Sequence, residues 1–211
     1  YPHRIITRYC SGRSLFERIH KTKQNPNFKP LTSSQLTKIA YQIALGMTSL
    51  HEKKIVHRDL KTLNILLDEY DNAYVADFGL SGKTEGNDMI ADVGTPNYTA
   101  PEILTRNHYG SKVDVYSYAI VLWEMLMKTV PFADLTKEQI YDHIVTHNWR
   151  LLLQPESPKG LKNLITRCWS KNPKDRPTFK EIVSIFNSGQ IYFPNSEPLN
   201  FNEIRNEYHC P

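Results

Sequence analysis

The stretch from Asp114 to Met127 is almost continuously apolar, and this constrains the fold more than any other part of the chain. A helix without a polar side cannot lie on a surface, so it belongs at the centre of a core. It is not a membrane span, because the longest apolar run, Ala119 to Met127, is short and is interrupted by Glu124. From Thr32 onward, Leu36, Ile39, Ala40, Ile43, Ala44, Met47 and Leu50 recur at three and four residues, the face of a helix of about five turns. That helix must also pack against a core. With 211 residues, 40% of them hydrophobic, the chain is long enough to bury one as a single domain.

The remaining elements are shorter. Arg4-Ile5-Ile6-Thr7-Arg8-Tyr9 reads as a β-branched strand leading into the turn Cys10-Ser11-Gly12. Ser14-Leu15-Phe16-Glu17 has capping-box spacing and opens a short helix that ends before the loop from Pro26 to Pro30. Ile55-Val56, Asn64 to Leu67 and Ala73 to Ala76 are strand-like, the last two joined by the polar turn Asp68 to Asn72. Thr136 precedes a helix containing Ile140, Tyr141 and Ile144, and Ser157-Pro158 opens another with Leu161, Leu164, Ile165 and Cys168. Thr178-Phe179-Lys180-Glu181 caps the last. Residues 188–211, rich in Asn, Pro and Glu, read as an irregular tail. The expected class is mainly α with short β-hairpins, and there is no internal repeat.

Charge and cysteine usage narrow the function. A formal charge of +4, spread along the chain, gives nucleic-acid binding little support. Cys10, Cys168 and Cys210 are odd in number and far apart, so neither a disulfide framework nor a zinc site is expected and they read as reduced thiols. His143 and His147 stand four apart on a predicted helix but lack a third ligand, which favours a solvated face over a metal site. The chain starts at Tyr1 with no initiator Met and no charged-then-apolar leader, which reads as an internal segment with a cytoplasmic default location.

Three motifs then appear in a telling order: His57-Arg58-Asp59-Leu60-Lys61-Thr62-Leu63-Asn64, Ala76-Asp77-Phe78-Gly79-Leu80 and Ala100-Pro101-Glu102. Phosphoryl transfer needs a carboxylate to orient the acceptor, oxygen ligands for metal and a platform for the substrate. Asp59 is the candidate base. Asn64 offers Mg2+ a neutral oxygen ligand and Asp77 a charged one, both hard donors as that ion requires. Lys61 can offset charge on the transferring phosphate.

On these residues, positions 1–187 resemble the protein kinase superfamily. The resemblance implies ATP and Mg2+ as cofactors, protein substrates, and the roles just given to Asp59, Asn64 and Asp77. It implies a packed hydrophobic spine through His57 and Phe78, beside Gly79. Thr7 matches the gatekeeper, Arg8 to Cys10 the hinge that pairs with adenine, and Leu66 the apolar floor beneath that ring. Glu102 and Arg176 match a buried ion pair, and Asp114 an anchor of the catalytic-loop backbone. Ser81, Thr84 and Thr95 lie in a segment matching the activation loop. Arg58 could pair with a phosphate on Ser81 or Thr84, while Thr95 is assigned to substrate positioning.

His-Arg-Asp-Leu-Lys and Gly94-Thr95-Pro96 resemble Ser/Thr kinases. Asp114-Val115-Tyr116-Ser117-Tyr118, Leu122-Trp123-Glu124 and Arg167-Cys168-Trp169 ahead of Asp175-Arg176-Pro177 resemble the tyrosine-kinase-like group. The chain departs from the pattern at Thr99, where Met is common, and at Ala119, where Gly is common. Residues 1–56 carry no glycine-rich loop and no Val-Ala-Ile-Lys-like strand. The expectation is therefore a last small-lobe strand and hinge at 1–13, a C-terminal lobe at 14–187 and a tail. Such a piece is expected to be weakly active or inactive alone. Two other classes stay open: a pseudokinase-like interaction module docking partners around Asp134 to Trp149, and a metal-dependent hydrolase or nuclease using Asp59 and Asp77. The substrate, the upstream activator and the oligomeric state are not legible.

Overall fold

The computed structural model describes residues 6–21, 29–83 and 94–207. The chain runs through α1 (Leu15–His20), α2 (Ser33–Glu52), β1 (Ile55–Val56), β2 (Ile65–Leu67), β3 (Ala73–Val75) and β4 (Gly82–Lys83). It continues through α3 (Pro101–Leu104), α4 (Lys112–Met127), α5 (Lys137–Tyr141), α6 (Lys159–Cys168), α7 (Phe179–Asn187) and α8 (Phe201–Glu207). Short 3-10 turns at Thr62–Asn64 and Pro96–Tyr98 carry site residues.

Helices begin where the sequence supplies caps. Ser14, Thr32, Thr136 and Thr178 each accept from the backbone N–H of Glu17, Gln35, Gln139 or Glu181, whose side chain reaches back to the cap. Each cap stabilises its helix by about 1 kcal/mol, enough to fix a boundary but not to hold the fold. Packing does that. Every residue of α4 from Val113 to Met125 is buried, as its apolar composition requires. Helix α6 packs on α4, and α2 packs on α7 and β3. The Tyr118 hydroxyl of α4 donates to the Ala40 carbonyl of α2 at 2.8 Å, so this buried phenol joins the two central helices without an unpaired oxygen.

Two small antiparallel sheets lie beside these helices. In one, Ile65, Leu66 and Leu67 face Val75, Tyr74 and Ala73; in the other, Ile55 and Val56 face Lys83 and Gly82. Asp68 closes the β2–β3 turn. Its carboxylate accepts from the backbone N–H of Tyr70 and Asn72, the Asn72 amide and the Tyr74 hydroxyl. Burial opposes its ionisation, but these four bonds outweigh that and hold its carboxyl below the usual range. The sign follows. A carboxyl with a depressed folded-state pKa stabilises the fold above the ordinary carboxylate range and stops doing so as pH falls through its folded value. Asp68→Asn is therefore expected to lower the urea midpoint at pH 7, with the gap from wild type closing in acid; a pH-independent gap would contradict this.

The structure departs from sequence expectation in four places. Ile6 to Tyr9 form no strand: Ile6 is 95% and Tyr9 85% exposed, and no described strand pairs with them, which leaves a lone β-branched segment without its ladder. The part of that call at Arg4 and Ile5 lies outside the described residues. The tail is not irregular throughout, because Phe201 and Ile204 are buried and shape α8. Phe201 stacks on Tyr41 at 4.8 Å and Phe186 at 5.8 Å, apolar anchoring that a composition count overlooks. Helix α5 gives way at Asp142–Thr146 to a wider π-helical turn. There His143 is half-buried against Trp149, with ring centroids 4.7 Å apart, while His147 stays exposed near Asp142.

Among the described residues no helix is long and apolar enough to cross a membrane, and no three His, Cys, Asp or Glu side chains cluster to hold a metal. Cys10 and Cys168 are free thiols; Cys210 lies outside the described residues.

Candidate active site

The loop between β1 and β2 is held from below by Asp114, the second charged residue of the central helix. Its Oδ2 accepts from the His57 backbone N–H at 2.9 Å and its Oδ1 from the Arg58 N–H at 2.8 Å, while His51 Nε2 lies 2.8 Å from Oδ2. These bonds stabilise Arg58 in the left-handed region at φ 69°, where a bulky residue is costly without such anchoring. His57 reinforces the bend. Its Nε2 donates to the Ala76 carbonyl at 3.0 Å, which leaves Nδ1 to accept from the Asp59 N–H at 3.3 Å.

Asp59 is buried, and both its oxygens are engaged. Thr95 Oγ1 donates to Oδ1 at 2.8 Å, and Lys61 Nζ donates to Oδ2 at 2.7 Å. Lys61 also donates to Thr95 Oγ1 at 2.8 Å, closing a ring of three side chains. Thr95 reaches the ring because Gly94 turns at φ 102° against the Arg58 carbonyl, where a side chain carbon would sit 2.8 Å from that oxygen. Asn64 completes the group: its Nδ2 donates to the Asp59 backbone carbonyl at 2.9 Å and to Oδ2 at 3.1 Å, which turns its amide oxygen the other way.

Asp77 stands one residue beyond a backbone bond to this group, Ala76 N–H to the Asn64 carbonyl at 2.9 Å. It is exposed, lies in the left-handed region at φ 63°, and accepts from the Gly79 N–H at 3.3 Å. Asn64, just before β2, and Asp77, just after β3, thus offer oxygens from the ends of paired strands. Phe78 stacks on buried His57 at 5.4 Å, but 49% of it is exposed, so the spine expected through these two rings is packed on one side only. Ser81 Oγ lies 3.5 Å from the His57 carbonyl; Thr84 lies outside the described residues.

The stretch that follows the segment assigned to adenine is tied to β2 through backbone. Gly12 N–H donates to Leu67 O at 2.7 Å, Leu67 N–H donates to Arg13 O at 2.8 Å, and Ser14 bridges Leu66, so the stretch after Cys10 runs along β2. A side chain at Gly12 would collide with the Asp68 carbonyl at 2.4 Å. Cys10 is half-buried, and burial followed by the nearby Asp68 raises its thiol pKa, which disfavours the thiolate. Thr7 is exposed, and Arg8 turns its guanidinium to the Tyr74 hydroxyl at 2.7 Å; neither contacts the ring around Asp59.

Two further ties hold the platform. Arg176 meets Glu102 through two parallel bonds of 2.6 and 2.9 Å, also donates to the carbonyls of Ser170 and Lys112, and lies over the Tyr116 ring. Sequence reasoning missed the second tie, in which Glu124 accepts from Thr62 beside Lys61 and from Tyr98, at the far end of the 3-10 turn that Thr95 precedes. Its signal was a charge interrupting the apolar run of the helix.

Comparison with known proteins identifies the family. The chain is 38% identical over 184 residues to a probable serine/threonine-protein kinase of Dictyostelium discoideum, covering 87% of this chain and 20% of that protein. It is equally similar to serine/threonine-protein kinase STY17 of Arabidopsis thaliana, with 87% of this chain and 31% of the relative covered. Serine/threonine/tyrosine-protein kinase HT1 of the same plant is 38% identical over 182 residues, with 86% of this chain and 46% of the relative covered. The chain thus spans less than half the length of these relatives. The protein kinase domain matches residues 3–185, and with the Asp59, Asn64 and Asp77 loops folded together the chain belongs to the protein kinase domain family.

Proposed function

We propose that this domain transfers the γ-phosphoryl group of ATP to serine and threonine hydroxyls of protein substrates. The observation that carries the reading is the ring of Asp59, Lys61 and Thr95, which sets a carboxylate and an ammonium at one point with a hydroxyl between them. An incoming alcohol that takes a place on Asp59 is oriented by it and loses its proton to it as the new bond forms. Lys61, released toward the phosphoryl oxygens, offsets the charge that develops there. The Ser/Thr names of the relatives, and the tyrosine-kinase-like pattern around α4, support the same assignment.

The donor set suits Mg2+. Asn64, just before β2, and Asp77, just after β3, supply hard oxygens, Asp77 in the open and the Asn64 amide oxygen facing away from Asp59. Two protein ligands suit an ion that keeps several waters and takes the rest of its shell from phosphate. When bound, Mg2+ neutralises phosphate charge. On the adenine side, Leu66 and the backbone of Thr7, Arg8 and Cys10 would hold the base.

We read 14–187 as the C-terminal lobe, 1–13 as its link to a small lobe and 188–211 as an extension. A lobe of this kind has the base and metal ligands but no clamp for the α- and β-phosphates, and positioning supplies most of the catalysis. Residues 1–211 expressed alone are therefore expected to phosphorylate a serine peptide at background rate, whereas a form extended upstream to include a glycine loop and lysine is active. Brisk turnover by 1–211 alone would refute the lobe reading. A silent extended form would refute the enzyme.

A further inference from the structure

Thr99 stands where the family pattern commonly has Met, and the chemistry above makes no use of it. It is 6% exposed and follows the 3-10 turn Pro96–Tyr98 in extended backbone, at φ −79° and ψ 133°. Its Oγ1 reaches back across the whole turn and donates to the Thr95 carbonyl at 2.8 Å. A methionine cannot do this, because a thioether has no proton to give.

The bond falls where the backbone offers little restraint of its own. Gly94, at φ 102°, leaves the chain before Thr95 free to turn, and Pro96 after it has no N–H. The peptide unit between Thr95 and Pro96 can therefore be held only through its carbonyl. That oxygen takes two donors, the Tyr98 N–H at 2.9 Å and the Thr99 hydroxyl. Thr95 occupies the N-cap position of the turn yet makes no side-chain bond to it, because its hydroxyl donates to Asp59 Oδ1 at 2.8 Å and receives Lys61 at 2.8 Å. Thr99 thus supplies, from the other end, the side-chain bond that Thr95 withholds. The rest of the turn is tied elsewhere: the Asn97 amide donates to the Pro131 carbonyl at 2.6 Å, and Ser117 donates to the Tyr98 carbonyl at 2.8 Å. The Thr99 hydroxyl also borders the tightest approach in the segment, since a side-chain carbon on Gly94 would lie 3.3 Å from it and 2.8 Å from the Arg58 carbonyl.

We infer that Thr99 is a positioning residue: its hydroxyl fixes the Thr95 carbonyl, and with it the direction in which Thr95 presents its own hydroxyl to Asp59 and Lys61. The inference rests on the kinase reading for its kinetics but not for its structural content. Replacing Thr99 by Val removes the donor while keeping a branched side chain in extended backbone that suits one. The Thr95 carbonyl keeps the Tyr98 N–H, so the fold survives and only the aim of Thr95 relaxes.

The test uses Thr99→Val and Thr99→Met, which lose the hydroxyl, and Thr99→Ser, which keeps it. In an active, upstream-extended form, the Val and Met variants are expected to lose roughly 3- to 10-fold in kcat for a serine peptide, the effect of one neutral hydrogen bond, with the KM for ATP unchanged. The Ser variant is expected to stay within about twofold of wild type. Because Thr99 acts through Thr95, the loss on Thr99→Val is expected to vanish in a Thr95→Val background, where no hydroxyl is left to aim. Hydrogen exchange of residues 1–211 is expected to quicken at the Tyr98 amide in the Val and Met variants and not in the Ser variant. Wild-type kcat in the Val variant, equal losses in the Val and Ser variants, or a loss that persists undiminished beside Thr95→Val would overturn the inference. So would Tyr98 exchange that is indifferent to the hydroxyl. If the extended wild type transfers no phosphate while Tyr98 exchange still follows the hydroxyl, the kinase reading fails and the hold on Thr95 stands.

Discussion

Asp59→Asn is expected to slow peptide phosphorylation by about 10²- to 10⁴-fold, the usual contribution of a positioned general base, while leaving the fold intact. The reason lies in how the carboxylate is held. Its Oδ2 receives Lys61 and the Asn64 amide, and Oδ1 receives Thr95. An asparagine that keeps its oxygen toward Lys61 and points its NH2 toward Thr95 Oγ1 preserves the ring, because a hydroxyl can accept as well as donate. What it loses is the capacity to take a proton. The KM for ATP is expected to stay near wild type, since Asp59 touches neither the segment assigned to adenine nor Asp77 among the described hydrogen bonds. Steady-state kinetics on a serine peptide in an active, upstream-extended form, with a melting curve as control, decides it. A variant that turns over within a factor of a few of wild type would remove Asp59 from the chemistry.

Most of what fixes this site was legible because it is local. Four capping boxes announce themselves at fixed spacing, the face of α2 follows from the period of its apolar residues, and the burial of α4 follows from its nearly unbroken apolar run. The order of Asp59, Lys61, Asn64 and Asp77 could be read in the same way, since those residues share two short loops. The return of Thr95 to Asp59 came from a resemblance, because no pattern in a sequence reports a contact across more than thirty residues. Where long-range packing decides, reading failed. The segment Ile6 to Tyr9 has suitable residues but no described strand pairing with it, and α8 forms because Phe201 finds Tyr41 and Phe186, not because of its own propensity.

Charges inside apolar helices were the most under-read signal. Asp114 and Glu124 interrupt one hydrophobic helix ten residues apart, close to three turns, and each receives three hydrogen bonds. Asp114 holds the backbone of the catalytic loop and Glu124 the two segments flanking it. A buried carboxylate with several donors fixes direction as well as distance, which an apolar contact does not. The central helix therefore serves as the ruler from which the reacting groups are set out.

Arg176→Met is expected to give the largest loss of stability, about 3–5 kcal/mol, because it strands the Glu102 carboxylate in a place built for a guanidinium. Arg176 is 1% exposed and bidentate to Glu102, so water does not readily replace it. In a domain of this size that loss lowers the melting temperature by roughly 6–20 °C. The pair spans α3, at the end of the segment carrying Thr95, and the 3-10 turn just before α7. The platform for substrate should thus loosen before the helical core does. Removing both charges separates the two parts of the effect. Glu102→Leu with Arg176→Met leaves no buried ion and regains much of the loss, yet not all, since the carbonyls of Ser170 and Lys112 still lack their donor. Urea unfolding of the two single variants and the double variant forms the cycle. If the double variant is less stable than wild type by the sum of the two single losses, the ion pair contributes nothing as a pair, and the coupling of substrate platform to C-terminal helices through Arg176 is wrong.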